Sequence, residues 1–141
     1  MKNNFFIFFF IFFFSKAFAL ENLNITAKKI SIDKDKEITI FQDNVMIVDE
    51  ENNTIKGDYV LYNNKLKQLN FKGKVTVLTS EGYYVEGQDM FLDKQKNILV
   101  SSNPSTITDI QNNKIYLESF EYKIEKKLFK SIGNIKVHDT L

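Results

Sequence analysis

The 141-residue chain contains no cysteine and no arginine, and it has a single histidine and a single proline. Without cysteine, disulfide bonds, a thiol nucleophile and cysteine metal ligands are all excluded. Without arginine, bidentate guanidinium recognition of phosphate is excluded as well. His138 stands near the C-terminus without a metal-ligand or triad partner in the sequence, so we assign it to the surface. No combination of nucleophile, base and orienting residue is visible, and we expect a protein that is not an enzyme and has neither cofactor nor metal site.

The first 19 residues have the order of a secretory signal peptide. Lys2 gives a positive start, residues 5–14 form an unbroken apolar run, and residues 17–19 (Ala-Phe-Ala) form a small-x-small ending. We therefore predict export to the periplasm with cleavage after Ala19. The alternative is an uncleaved membrane anchor, which is less favoured because a spanning helix needs about 20 apolar residues.

The remaining chain, residues 20–141, has a length that suits one domain. All 18 acidic residues follow Ala19, and so do all 19 lysines except Lys2 and Lys16, which gives the mature chain a net charge of −1. A nearly neutral domain is not an electrostatic nucleic-acid binder, because such binding depends on neutralising many phosphates.

Four segments of this domain align at a constant offset of 30 residues. A fixed period of this size indicates a stacked array of one supersecondary unit, in which each unit buries its apolar face against its neighbours. The coinciding sets are Ile25, Ile55, Val85 and Ile115; Ile30, Val60, Met90 and Phe120; Ile32, Tyr62, Leu92 and Tyr122; Asp43, Gly73, Asn103 and Gly133; Val45, Val75, Ser105 and Ile135; and Ile47, Val77, Ile107 and Val137. The function is expected to belong to a continuous surface or groove.

The composition of each unit predicts β-strands. Valine, isoleucine, threonine and aromatic residues occupy the periodic positions, whereas asparagine, aspartate, glycine and lysine lie between them. In the second unit the predicted strands are residues 54–62, 66–71 and 74–79, joined by connections short enough for antiparallel hairpins. The fold class is all-β, with about a dozen short strands over the chain.

The long strand of each unit carries a phase slip. In the second unit, Ile55 and Gly57 share one face, but Val60 and Tyr62 join that face only if one residue is inserted. Strict alternation has a period of two, so this shift predicts a bulge or a sharp bend. Because the slip recurs in every unit, the bends stack into a corner, and the sheet folds into a jelly-roll-like sandwich with an apolar interior.

Several short motifs resemble the repeat of the OstA-like domain, which occurs in the lipopolysaccharide-transport proteins LptA and LptC and at the N-terminus of LptD. The closest motifs are residues 57–63 (Gly-Asp-Tyr-Val-Leu-Tyr-Asn) and residues 71–75 (Phe-Lys-Gly-Lys-Val). Residues 43–45 (Asp-Asn-Val) and 133–135 (Gly-Asn-Ile) resemble its Gly-Asn-Val turn. The third unit departs from the pattern with residues 103–105 (Asn-Pro-Ser), and since proline cannot donate to a ladder, we expect an edge or irregular strand there.

The resemblance implies an open β-jelly roll that carries lipopolysaccharide from the inner to the outer membrane. It implies that the acyl chains of lipid A lie between the sheets. It also implies that protomers join edge to edge with LptC-like and LptD-like OstA domains, or head to tail with copies of the same chain. The candidate edges are near residues 25–32 and 135–139. Two alternatives remain, namely a membrane-anchored LptC-like component and a self-assembling β-repeat protein that binds no lipid.

The apolar positions predicted to face inward form the candidate lipid-binding groove. Spacing alone favours an ordinary sandwich core, whereas the family resemblance favours a lipid groove formed by the same residues. This inward set is Ile30, Ile32, Val45, Ile47, Val60, Tyr62, Val75, Val77, Met90, Leu92, Ile107, Phe120, Tyr122, Ile135 and Val137.

A second set of residues comes from the turn after each long strand, which is rich in lysine. If the units stack, these lysines form a row along one rim of the molecule. They could contact lipid phosphates or core sugars, but a solvated row that blunts edge pairing is the favoured interpretation. The lysines are Lys34, Lys36, Lys65, Lys67, Lys94, Lys96, Lys126 and Lys127.

Overall fold

The computed structural model of the chain describes residues 16–20 and 22–140, and side chains are described from residue 22 onwards. The fold is all-β and antiparallel, which confirms the predicted fold class. The strands are β1 (Lys16–Leu20), β2 (Leu23–Ala27), β3 (Lys29–Asp33), β4 (Ile38–Asp49), β5 (Thr54–Asn63), β6 (Gln68–Lys72), β7 (Lys74–Leu78), β8 (Tyr84–Gln88), β9 (Met90–Asp93), β10 (Ile98–Ser101), β11 (Ser105–Thr108), β12 (Lys114–Lys123) and β13 (Leu128–His138). The described part of the chain contains no helix that is long and apolar enough to cross a membrane.

The strands form one hydrogen-bonded sheet that is folded along a corner into two layers. The long strands β4, β5, β12 and β13 pass through both layers. We call sheet I the layer in which β2, β7 and β11 pair with these strands, β1 pairs with β2, and β8 pairs with β7 and β11. Sheet II is the layer that contains β3, β6, β9 and β10. The two layers enclose one hydrophobic core.

The corner lies where the phase slip predicts a bend. Between β4 and β5, Asp43 and Asn44 stand opposite Asp58 as a two-against-one bulge, and the register shifts there. The β12–β13 pair shifts register at the corresponding place, near Gly133. In the first and third units the long strand is interrupted instead, at Lys28 and at Asp89.

Turn conformations recur at the same 30-residue offset. Left-handed backbone angles occur in three series. They are Asn22, Asn52, Gly82 and Asn112 in the turns of sheet I; Glu37, Lys67, Asn97 and Lys127 in the turns of sheet II; and Asp43, Gly73 and Gly133 at the corner. Asparagine, aspartate and glycine tolerate this conformation best, which explains why these residue types fill most of the positions.

Cross-strand pairing places the apolar residues in continuous rows on the inner faces. In sheet I one row crosses eight strands, and in sheet II a second row crosses eight strands in the opposite layer. The row of sheet I is Ile25, Ile47, Ile55, Val77, Val85, Ile107, Ile115 and Val137. The row of sheet II is Ile32, Thr39, Tyr62, Leu69, Leu92, Leu99, Tyr122 and Phe129.

Three members of the predicted inward set are exposed, which corrects the expectation of a uniformly buried interior. The exposed fractions are 50% for Ile32, 53% for Ile135 and 64% for Val137. All three lie on β3 or β13, strands that the structure pairs on one side only within the described residues. Among the described residues no further unit covers the outer side of β3 or β13, so these inward side chains remain in contact with solvent.

The expectation of an edge or irregular strand after Pro104 is wrong. Strand β11 starts at Ser105 and pairs with both β8 and β12. Pro104 itself lies outside any strand, so the ladder loses no donor.

The predicted signal peptide falls largely outside the described residues, which begin at residue 16. Strand β1 covers the predicted cleavage point after Ala19 and pairs along its whole length with β2, from Lys16 opposite Ala27 to Leu20 opposite Leu23. Cleavage and the domain boundary at residues 19 and 20 stay predictions.

Candidate functional site

The interior between the sheets is an apolar surface that runs through all four units. Of the predicted inward set, Ile30 is half-buried against the core and most of the others are almost fully buried. The buried members are Val45, Ile47, Val60, Tyr62, Val75, Val77, Met90, Leu92, Ile107, Phe120 and Tyr122.

Aromatic rings fill much of the space between the layers. Phe41 and Phe71 are fully buried in sheet II. At the C-terminal end, Phe129 stacks on Tyr122 with ring centroids 4.1 Å apart. Phe129 also makes an edge-on contact at 6.2 Å with Tyr83, which belongs to a turn of sheet I. The layers are therefore in direct contact, and a guest molecule would have to displace side-chain packing.

Four buried apolar residues on the strands of sheet II were missed by the sequence prediction. They lie on β4, β6 and β10, and they share the 30-residue offset as two pairs. The alternation of apolar and polar residues in β6, at positions 68–72, is the signal that would have identified them. The residues are Phe41, Leu69, Phe71 and Leu99.

One small polar patch interrupts the apolar interior in the third unit. The buried hydroxyls of Ser101 and Ser105 lie 3.1 Å apart, and each donates to the Asn103 carbonyl oxygen. Gly87 faces them so closely that an added Cβ would lie 2.5 Å from the Ser105 Oγ. Since each hydroxyl has a partner, this patch is a closed polar contact rather than an open binding site.

The turns of sheet II form a lysine-rich edge, which we call rim II (residues 34–37, 64–67, 94–97 and 124–127). Backbone hydrogen bonds join consecutive turns, from Asn64 N to the Glu37 carbonyl oxygen at 2.8 Å and from Lys94 N to the Lys67 carbonyl oxygen at 3.0 Å. A third joins Ile124 N to the Asn97 carbonyl oxygen at 3.0 Å. The row of lysines that the sequence predicts is thus held together by the backbone.

The turns of sheet I form an acidic edge, which we call rim I (residues 49–53, 79–83 and 109–113). Asp109 closes its turn by accepting hydrogen bonds from the backbone N–H groups of Gln111 and Asn113 and from the Asn113 side chain. The side-chain bond from Asn113 is the main cause that lowers the pKa of Asp109. Asp49 and Asn53 repeat this arrangement.

The two rims face each other across a slot that leads to the interior. Lys127 of rim II forms an ion pair with Glu81 of rim I at 3.6 Å. Towards the N-terminal end the slot holds a cavity of about 260 Å³, lined by Asn22, Leu23, Glu50, Tyr62, Lys67, Lys94, Gln95 and Asn97. Leu23 and Tyr62 are core residues, so the cavity reaches from the charged rims to the apolar interior.

Tyr122 places a phenol near the same slot. Burial raises its pKa to about 12, and the negative charges of Glu81, Asp49 and Glu51 contribute to the same rise. The hydroxyl is therefore neutral at physiological pH and can donate a hydrogen bond at the boundary between the apolar interior and rim I.

A larger concavity lies on the outer face of sheet I and does not belong to this interior. Its volume is about 480 Å³, and its lining includes Thr26, Asn44, Lys56, Asp58 and Lys74. These residues surround the bulge of the second unit, where the strong local twist indents the outer surface. A smaller concavity of about 290 Å³ occurs at the bulge of the fourth unit, which indicates a consequence of bulge geometry rather than a dedicated site.

Within residues 22–140, no group of three or more histidine, aspartate or glutamate side chains is arranged to hold a metal ion. His138 is exposed at the end of β13. The chemistry that the site offers is therefore apolar burial inside and ionic contact at the rims.

The sequence matches no protein-family model and no curated protein. The structure, however, is similar to the crystal structure of LptH, the LptA-homologous periplasmic component of the lipopolysaccharide transport device from Pseudomonas aeruginosa. The TM-score is 0.70, the sequence identity is 9%, and the match covers 84% of this chain and 95% of that chain. That similar protein is a component of a transport device. The chain therefore has the OstA-like β-jelly-roll fold of the LptA-type proteins.

Proposed function

We propose that this chain is a periplasmic carrier that shields the acyl chains of lipopolysaccharide between its two sheets and passes them from the inner towards the outer membrane. The observation that carries the proposal is the predominantly apolar inner surface, which the small Ser101–Ser105 patch interrupts in the third unit. It crosses every unit and continues beyond the packed core to the exposed Ile135 and Val137. The shared fold with LptH supports the same function.

The energetics favour a lipid as the guest. Each methylene removed from water contributes about 0.8 kcal/mol, so acyl chains can replace the side-chain contacts that separation of the sheets would break. The Glu81–Lys127 pair that bridges the rims is solvent-exposed, and such pairs contribute only about 0–1 kcal/mol. The rims therefore oppose separation weakly, and the apolar interior provides the affinity.

Transfer between proteins would use the open ends of the array. At the C-terminal end, β13 has one edge that no described strand pairs with, and part of its inner face is exposed. At the N-terminal end, β1 pairs with β2 over five residues, and cleavage after Ala19 would remove most of β1 and free that edge of β2. Pairing the last edge of one protein with the first edge of the next is a heterologous contact that need not close. We propose LptC-like and LptD-like OstA domains, or further copies of this chain, as the partners.

A structural, self-assembling repeat protein is the second candidate. The close packing of the interior favours it, because Phe41, Phe71 and Phe120 already fill the space between the layers. The same edges would then build an assembly without any lipid. A membrane-anchored LptC-like component differs from the carrier only in retaining its N-terminal apolar segment.

A photo-crosslinking experiment separates the carrier from the self-assembling protein. A photo-reactive side chain at Val77 or Leu92, both buried inside, should trap a lipopolysaccharide-type lipid in cells. The matched control is Thr76, which neighbours Val77 and lines the outer concavity. Labelling at both inner positions with none at Thr76 is the expected result. Equal labelling at all three positions, or none at any, would count against the lipid carrier.

A further inference from the structure

We propose that Asn52 is the acceptor of an N-linked oligosaccharide. Asparagine followed at the second position by serine or threonine, with any residue except proline between them, is the acceptor motif of exported proteins. The sequence contains this motif twice, at residues 24–26 (Asn-Ile-Thr) and 52–54 (Asn-Asn-Thr), whereas Pro104 excludes Asn103. The inference goes beyond lipid carriage and shares with the proposed function only the export of the chain.

The fold places Asn52 at the tip of an exposed turn. This residue lies in rim I between β4 and β5, it has a left-handed backbone φ of 62°, and it is exposed. No residue among those described forms a hydrogen bond with its side chain. The adjacent Asn53 differs, because it is buried, donates to Asp49 at 2.8 Å and accepts from the Ser80 N–H at 2.9 Å. Asn53 thus holds the turn together, while the carboxamide of Asn52 faces solvent.

Asn24 carries the same motif but lies within the sheet. It stands opposite Val48 in the ladder between β2 and β4, and Ile25, the middle residue of its motif, is 0% exposed. A transferase has to draw the motif into its own cleft. At Asn24 this would break a ladder and remove a core residue, whereas at Asn52 it opens only the end of a hairpin, the kind of region that opens at least cost. The structure therefore favours Asn52 as the acceptor.

The reaction is a glycosyl transfer from a polyprenyl-diphosphate-linked oligosaccharide, catalysed by an oligosaccharyltransferase of the export compartment. The Nδ2 atom of Asn52 forms a bond to C1 of the first sugar and gives up one proton to solvent. The bond between C1 and the diphosphate oxygen breaks, and the polyprenyl diphosphate leaves with the bonding electron pair. Glu50 and Thr54, which flank Asn52 at equal distances in the sequence, offer the transferase a carboxylate and a hydroxyl for recognition.

Mass spectrometry of the protein purified from its own cells tests the proposal. Cleavage after lysine separates the two motifs, because residues 20–28 of the mature chain contain Asn24 and residues 37–56 contain Asn52. We expect the second peptide to carry an oligosaccharide on Asn52 and the first to be unmodified. An unmodified second peptide, or a sugar on Asn24, would overturn the proposal.

Variants of the motif distinguish its acceptor from its surroundings. Asn52→Asp removes the carboxamide and keeps a residue type that tolerates the left-handed backbone. Thr54→Val removes only the hydroxyl and keeps a β-branched residue in β5. Both variants should lose the oligosaccharide completely, whereas Asn24→Gln should retain it. Retention in Thr54→Val would overturn the assignment of the motif.

The fourth unit repeats this turn without the motif. Asn112 has the same left-handed conformation, with a φ of 66°, and Asn113 donates to Asp109 at 2.9 Å. Lys114 begins β12 as Thr54 begins β5, so the hydroxyl is missing. The turn is therefore a matched host for the motif.

A gain of modification tests this host. Ile110→Glu/Lys114→Thr copies the acid and the hydroxyl of the second unit into the fourth-unit turn, and position 110 is exposed. We expect a second oligosaccharide on Asn112 of this variant. A variant modified at Asn52 but not at Asn112 would contradict presentation by the turn. Lipid crosslinking is scored separately, so a glycosylated chain that traps no lipid would overturn the carrier function alone.

Discussion

Single residues show how closely this jelly roll is packed at the corner. Gly57 and Gly87 occupy equivalent positions of the second and third units, and both lie in sheet I beside the bend. Their surroundings differ, because the third unit places the Ser105 hydroxyl and the Met90 methyl against Gly87. Close packing therefore requires glycine at position 87, whereas position 57 has room for a Cβ.

This difference predicts unequal effects of alanine at the two glycines. In Gly87→Ala the new Cβ would lie 2.5 Å from the Ser105 Oγ and 2.9 Å from the Met90 Cε, so overpacking should destabilise the protein by about 1–3 kcal/mol. Gly57→Ala is the matched control, since its Cβ would make ordinary contacts at 3.6 and 3.8 Å. Urea unfolding measures both free energies. Equal stabilities of the two variants would contradict the close approach at Gly87.

The raised pKa of Tyr122 predicts that the folded protein loses stability at alkaline pH. Its pKa is about 12 in the folded chain, compared with 10.0 for an unperturbed tyrosine. Between these values the unfolded chain loses the phenolic proton and the folded chain keeps it, so the free energy of unfolding falls as pH rises. Tyr122→Phe should flatten this part of the pH profile relative to the unaltered chain. The same slope in both proteins, measured by denaturant unfolding from neutral to alkaline pH, would exclude Tyr122 as its source.

At the scale of elements, the terminal strands differ from the central ones because one edge and part of the inner face of a terminal strand are exposed. Strand β11 pairs on both sides although a proline precedes it, whereas β13 pairs only with β12 among the described strands. An open edge presents unpaired backbone groups and can add a strand from another chain. The exposed inner face of β13 extends the apolar interior to this edge, so an added strand would continue the groove as well as the sheet.

A pair of proline variants tests this edge. The backbone N–H groups of adjacent residues point in opposite directions, so of Lys136→Pro and Val137→Pro one removes a donor to β12 and the other removes a donor at the free edge. The free-edge variant should associate more weakly while it keeps its strand content. Sedimentation and far-ultraviolet circular dichroism measure the two properties. Unchanged association in a variant that has lost its free-edge donor would rule out pairing through β13.

At the scale of the whole molecule, we predict that the availability of the N-terminal edge of the sheet depends on cleavage after Ala19. Strand β1 covers the edge of β2, and the predicted cleavage point lies within β1. A chain that begins at Leu20 would expose this edge, whereas a chain that begins at Lys16 would keep it covered. If both predictions hold, only the processed protein would assemble through this edge.

Two observations test this dependence on processing. Mass analysis of the protein purified from periplasm should give Leu20 as its first residue. In solution, chains that begin at Leu20 should associate at lower concentration than chains that begin at Lys16, as measured by sedimentation. A full-length, membrane-extracted protein would favour the anchored LptC-like alternative, and equal association of the two chains would show that β1 does not block the edge.

Local sequence patterns were sufficient to predict the strands, the all-β class and the bends. Side-chain alternation indicates a strand and turn residues indicate where it ends, and both are visible within a few positions. In residues 54–62, for example, the alternation indicates a strand, and its change of phase after Gly57 indicates the bend. Because the units repeat every 30 residues, the inward positions identified in one unit also identified the equivalent positions of the others, and these make up most of the buried interior. The same offset would have included Phe41 and Phe71, had the short alternating strand β6 been counted as inward.

Only the tertiary structure decided which inward positions are covered and what the rims face. Ile32, Ile135 and Val137 follow the repeat as closely as their buried counterparts, but no further unit within the described part of the chain covers them, and the residues themselves carry no sign of this difference. The ion pair of Glu81 with Lys127, and the cavity that Glu50 and Lys67 both line, depend on how the folded sheet closes on itself. These residues are distant in sequence, and their proximity results from packing of the whole array rather than from any local preference.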